Sequence, residues 1–244
     1  MVDPKALLEK FLGPDAGARA AGGVQQAGDA ANRMMGRIGV PTSGMGGLAA
    51  GAAGAGLLAV LLGGKGVRKV AGYGGAAALG ALAFKAFQNW QQGQAQAAPA
   101  APTPADIAAT PPQYLPGATM AADGTPFELA LIRAMVGAAK ADGHVDGPEQ
   151  EKIFAAVERM GLDAEAKAFV FDALAKPADP AAIAAAAQTR EQAAEIYLVS
   201  RMAIDPDQAS ERAYLDALKQ RLALPPDLVV QLDRQVAGAL PAPV

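Results

Sequence analysis

The stretch FELALIRAMVGAAKADGHVDGPEQEKIFAAVERMG, residues 127–161, decides the fold. Phe127, Leu131, Ala134, Met135 and Ala138 recur at intervals of three and four, as do Ile153, Phe154, Val157 and Met160. That is the period of helices with one apolar face, not the alternation of a half-buried strand. The spacing predicts two helices joined by a polar loop, the second closed by Gly161. The same period runs on. Phe169, Val170, Ala173 and Leu174 stripe a third helix stopped by Pro177, and a short alanine-rich fourth starts near Pro180. Ile196, Val199 and Met202 mark a fifth, and Tyr214, Leu215, Leu218 and Leu222 a sixth. Leu228, Val229, Leu232 and Val236 mark a seventh, reached through Pro225-Pro226-Asp227. No alternating pattern appears anywhere. Residues 127–240 therefore read as an all-α bundle of about seven helices, large enough to bury one core.

Upstream of Phe127 the chemistry changes. Residues 1–126 carry 9 basic and 6 acidic side chains, whereas residues 127–244 carry 12 basic and 18 acidic. The acidic half argues against nucleic acid, whose phosphates need clustered Lys and Arg. Between Ala30 and Ala105 there is no Asp or Glu but six basic residues, which suits a lipid headgroup surface. Ile38–Gly64 is uncharged over 27 positions, long enough to cross a hydrocarbon core of ~30 Å as a helix. Val70–Phe84 is uncharged for a further 15 and is followed by Lys85 and Trp90, residues that suit a headgroup boundary. Small residues repeat at four-residue spacing in Gly47/Gly51, Gly72/Ala76 and Ala76/Gly80, a pattern that lets helices approach closely in lipid. The expectation is a Gly/Ala-rich membrane-associated helical hairpin over 44–90, turning at Lys65–Lys69, and open to homo-oligomer formation. A glycine-rich, weakly structured region that never inserts is the competing reading. A hairpin balances Arg33, Arg37 and Lys85 on one face against Lys65, Arg68 and Lys69 on the other, so it fixes no orientation.

Residues 1–43 form an N-terminal segment with a short amphipathic helix. Asp3-Pro4 supplies a capping carboxylate and a proline at the first helical position, and Leu7, Leu8, Phe11 and Leu12 share one face. Asp3 and Glu9 stand where a cleavable signal needs basic residues, so no such signal is expected. Residues 91–126 hold seven prolines and no apolar period, the composition of a disordered Pro/Ala/Gln-rich linker.

The loop Ala141-Asp142-Gly143-His144-Val145-Asp146-Gly147-Pro148-Glu149 carries the densest polar chemistry. Asp146 and Glu149 are spaced as a capping box. The loop nearly meets a calcium pattern through Asp142, His144, Asp146 and Gly147, then has Ile153 where the bidentate Glu belongs. Helix capping and a weak divalent site both remain open. A fainter echo, Asp205 to Glu211, follows the fifth helix. With one histidine and no cysteine, a multi-imidazole or thiolate zinc site within one chain is excluded. Three serines and that single histidine offer no activated nucleophile. Gly44-x-Gly46-x-x-Ala49 lacks a preceding strand, and Gly64-Lys65 lacks the flanking glycine and Ser/Thr of a phosphate loop. No enzyme is expected.

The stretches AAKADGHVDGPEQEKI and AIDPDQASERAYLDALKQRLALP resemble the TerB-like helical domain of tellurite-resistance proteins. YGGAAALGALAFKAFQNWQ resembles bacterial inner-membrane proteins with domain of unknown function 533. The resemblance implies an acidic all-α bundle attached to a membrane-associated glycine-rich segment. It also implies a divalent metal ion as cofactor, held by Asp142, Asp146, Glu149, Asp205 and Glu211. Pro206 after Asp205, in place of glycine, departs from that pattern.

The expected function is a non-enzymatic protein of the inner membrane, with membrane lipid and a stress-response protein as partners. Its bundle, on the cytoplasmic side, docks or senses in envelope or metal/oxyanion (tellurite-type) stress. The alternative is a soluble divalent-metal-binding regulator that self-associates through its glycine-rich segment.

Overall fold

A computed structural model describes residues 2–12, 75–93, 102–141, 163–204, 206 and 208–239. These residues fold into nine α-helices with no strand: α1 (Pro4–Leu12), α2 (Gly75–Gln91), α3 (Pro104–Ala108), α4 (Phe127–Ala139), α5 (Ala164–Ala175), α6 (Pro180–Ala184), α7 (Arg190–Ala203), α8 (Ala209–Arg221) and α9 (Pro226–Ala239). Two single 3-10 turns, Pro112–Tyr114 and Pro116–Ala118, lie between α3 and α4. The second helix of the expected bundle, with Ile153, Phe154, Val157 and Met160, lies outside the described residues.

Helix starts follow from short polar side chains that accept from otherwise unpaired amides. Asp3 accepts from the Ala6 N–H at 3.0 Å, with Pro4 in the first turn. Asp163, Asp179 and Thr189 do the same for α5, α6 and α7, at 2.7, 2.8 and 3.2 Å. Thr103 and Asp106 close a reciprocal capping box on α3.

The core is organised around α7. Every residue from Gln192 to Ser200 is buried, because α7 packs on α4, α9, α2 and α8 together. The predicted stripes meet here: Phe127, Leu131 and Met135 of α4, Ile196 and Val199 of α7, Leu218 of α8, and Leu228 and Leu232 of α9 are all fully enclosed.

Two expected boundaries dissolve. The part of the expected membrane hairpin that the structure describes, α2, packs inside this core against α9, α7 and α1. Leu82, Ala83 and Ala86 have no exposed surface, and Ala78 and Leu79 only 1 %. At 17 residues α2 is about 26 Å long, short of a bilayer core. Trp90, read as an interface marker, lies under the Arg190 guanidinium at 5.7 Å. Among the described residues no helix is long and apolar enough to cross a membrane. The rest of the expected hairpin, 44–74, lies outside the described residues.

The expected linker is likewise built into the body over its described part, 102–126. Tyr114 is 2 % exposed and packs against Phe84 and Phe87, at ring distances of 5.2 and 6.0 Å. Gln188 and Gln192 donate to the carbonyls of Met120 and Ala121 at 2.8–3.0 Å, and Ala122 N–H donates to the Ala186 carbonyl at 2.9 Å. The prolines fit because a strap held by side chains and turns needs few backbone donors.

Gly80 shows what the small residues of α2 are for. A Cβ on Gly80 would stand 1.8 Å from the Tyr114 carbonyl oxygen, a backbone atom that cannot step aside. The α8–α9 turn is strained in the opposite sense. Ala223 has φ +50° and occupies the position after the helix where glycine is favoured. Leu224 N–H bonds the Lys219 carbonyl at 3.3 Å and Ala223 N–H the Gln220 carbonyl at 3.2 Å, the paired bonds of a Schellman turn.

Two stability predictions follow from these geometries. Gly80→Ala should lower the unfolding free energy in urea by about 2–3 kcal/mol, because the strap must lift off α2. An unchanged midpoint would contradict the close contact. Ala223→Gly should instead stabilise the protein by about 0.5–1 kcal/mol, relief of the left-handed alanine outweighing the added chain entropy.

Candidate functional site

Of the five residues proposed as metal ligands, Asp142, Asp146, Glu149 and Asp205 lie outside the described residues. Glu211 accepts from the Gln208 N–H at 3.3 Å at the start of α8, the capping role. Among the described residues no group of three or more His, Cys, Asp or Glu side chains is placed to hold a metal ion.

The described surface does offer a groove of about 570 Å³, between α4, the end of α5 and α6. This is within the size range of ligand pockets. Its walls include Ala130 and Gly137 of α4, Ala173 of α5 and Ile183 of α6. Gly137 lets α6 close on α4: a Cβ there would stand 2.5 Å from Ile183 Cδ1 and 3.0 Å from the Tyr214 hydroxyl. That hydroxyl is buried, and burial, foremost, pushes its pKa up.

Charged groups mark the rim, and each has an architectural task. Arg133 lies over the Phe169 ring at 5.0 Å and reaches Asp123 at 3.5 Å. Asp123 also accepts from the Thr125 N–H at 2.9 Å and its hydroxyl at 2.6 Å, bonds that hold its carboxyl below the usual range. Lys176 pairs with Asp172 at 2.7 Å, and Asp179 caps α6. Nearby, Lys140 Nζ donates to the Leu174 and Lys176 carbonyls, fastening the end of α5 to α4. Among the described residues no Ser, Cys or His lines the groove. The described walls are small and apolar, with fixed charges at the rim.

The second unusual feature is internal. Glu195 of α7 is 1 % exposed, and its Oε2 has no hydrogen-bond partner. Asn89 of α2 and Gln235 of α9, the two helices that pack on α7 there, also bury an unpartnered polar atom each. Burial, foremost, and the negative charge of Glu191 push the Glu195 carboxyl well above its ordinary value of 4.5. Further along α7, Tyr197 donates to Asp233 of α9 at 3.1 Å, and Arg201 approaches the same carboxylate at 3.6 Å. That carboxyl is also raised, by burial against the opposing pull of Tyr197 and Arg201.

Neither the groove nor Glu195 figured in the sequence reading. The groove is built from alanines and from charges that look solvated in sequence. Glu195 did leave a signal: it stands four before Val199 and seven before Met202, so it shares the apolar face of α7.

The described part of the chain thus defines an all-α bundle with a groove between α4, α5 and α6. The family model described as "Protein of unknown function (DUF533)" matches residues 47–236, and the chain belongs to that family. It is also similar to the "Uncharacterized protein in ampR 5'region" of Yersinia enterocolitica, 36 % identical over 98 residues, which cover 40 % of this chain and 70 % of that protein. No solved structure matches significantly.

The buried acid sets a pH dependence. Its folded pKa lies above the unfolded value, so the folded state keeps a proton that the unfolded chain has released. Stability is therefore full below pH ~4.5 and falls as pH rises from there towards the folded pKa. Glu195→Gln, which stays neutral, should melt higher than wild type at pH 7–8, with the gap narrowing towards pH 5. Parallel melting curves across that range would show that the carboxyl is ionised in the fold.

Proposed function

We propose that this protein is a non-enzymatic, inner-membrane-associated docking module, with a TerB-like bundle as its receiving part. One observation carries the proposal. The family match starts at residue 47, inside the uncharged run Ile38–Gly64, and continues into α9, so most of the apolar segment and the bundle fall within one family unit. The richest part of that run, Leu57-Leu58-Ala59-Val60-Leu61-Leu62, prefers hydrocarbon to water, and basic residues flank it on both sides. The groove between α4, α5 and α6 is where the bundle has room for a partner segment. A role in envelope or metal/oxyanion stress is supported by the likeness of the two acidic stretches to tellurite-resistance domains.

Fractionation of the full-length chain tests the membrane component. Wild type is expected in the membrane pellet and should stay there in high salt. The double variant Leu58→Arg, Leu61→Arg should move to the soluble fraction, since each charge costs ~2.5–3.5 kcal/mol in an apolar span. Soluble wild-type protein would overturn the proposal.

A further inference from the structure

The seam between α2, α7 and α9 buries a carboxyl that no cation neutralises among the described residues. Glu195 of α7 is 1 % exposed, and its Oε2 accepts no hydrogen bond there. The three helices pack on one another, and the other two bring amides to the interior: Asn89 from α2 and Gln235 from α9. Charged side chains of the surrounding helices turn to other partners. Lys85 of α2 acts on Asp106, Glu128 of α4 lies by Asp3 and Lys5, and Arg133 of α4 reaches Asp123. Lys140 of α4 holds the α5 carbonyls, Lys219 of α8 pairs with Asp216, and Asp233 of α9 meets Tyr197 and Arg201. The groups that act on Glu195 are the Glu191 carboxylate, one turn earlier on α7, and the Tyr114 phenol of the strap.

The start of α7 is fastened to the last turn of α2. Arg190 lies over the Trp90 ring at 5.7 Å, Trp90 meets Phe87 edge-on at 5.2 Å, and Phe87 meets Tyr114 at 6.0 Å. The outer side of that turn is open to solvent: Gln88, Gln91 and Gln92 are exposed, and the chain turns away at Gly93 with φ +62°. Terminal turns are among the first parts of a fold to open.

We propose that the last turn of α2, residues 88–91, is a proton-controlled lid over Glu195, closed while the carboxyl holds its proton and lifted when that proton passes to solvent. A carboxylate shut in beside Glu191 has neither water nor a counterion; lifting the turn lets water reach it. In the opened form Glu195 is hydrated and titrates near its ordinary 4.5, whereas burial and then Glu191 raise it in the closed form. Closure is therefore complete below pH ~4.5, and each pH unit above that favours the open form about tenfold until the closed form also ionises. Lifting also uncovers the Phe87 ring that Trp90 covers, so loss of a proton becomes accessible apolar surface. The device does not depend on the membrane association proposed above.

Trp90 is the only tryptophan of the chain, so its fluorescence reports on this turn. The purified full-length protein is titrated from pH 5 to pH 9, with Trp90 emission, acrylamide quenching and far-UV circular dichroism read at each step. The expected result is a reversible red shift and rising quenching towards high pH, with helix content falling by no more than about one turn. Glu195→Gln should keep the protected signal throughout. Glu191→Gln should give a smaller transition, because one of the two repelling charges is gone. A wild-type signal that does not change with pH overturns the proposal, and so does an equal transition in Glu195→Gln. Loss of most helix content together with the Trp90 change would also overturn it, since the bundle would then be unfolding rather than moving one turn.

Discussion

Enclosure of the middle of α7, Gln192 to Ser200, is the constraint on which the rest of the described structure depends. A helix buried on one side needs one partner layer; a helix buried on all sides needs several. α4, α9, α2 and α8 supply them among the described residues, and α2 and the strap before α4 are part of the same body. The apolar surface removed from water there holds together segments more than a hundred residues apart in sequence.

That enclosure has a polar consequence. α7 carries Gln192, Glu195 and Ser200 into the interior. Gln192 is satisfied by the strap, and Ser200 by the Ile196 carbonyl at 2.8 Å, one turn earlier. Burial, and the charge of Glu191, raise the Glu195 carboxyl instead, because desolvation disfavours its ionised form. Fixed polar groups at the α7–α9 seam, with Tyr197 and Arg201 meeting Asp233, set the register in which the two helices pack. The groove lies elsewhere, over α4 and α6, where Gly137 and the alanines allow close approach without filling the space outside.

α2 shows how one composition serves two solvents. Gly80 and the alanines of α2 are small for a reason common to lipid-embedded and protein-embedded helices: both need close backbone approach. In this protein the neighbour is the Tyr114 backbone. The Gly/Ala pattern carries the demand for closeness but not the identity of what comes close.

Local sequence by itself determined the helices. Periodic stripes located α4, α5, α7, α8 and α9, and Asp3-Pro4 and Pro225-Pro226-Asp227 located the starts of α1 and α9, because caps and amphipathic period are short-range properties. Tertiary structure alone decided that α2 is a core helix, that residues 102–126 form a clasp, and that Glu195 is sealed from water. It also brought Arg133, Lys176 and Asp179 around one groove. Each of these depends on which surface lies opposite, and a one-dimensional pattern records how apolar a face is without recording what covers it.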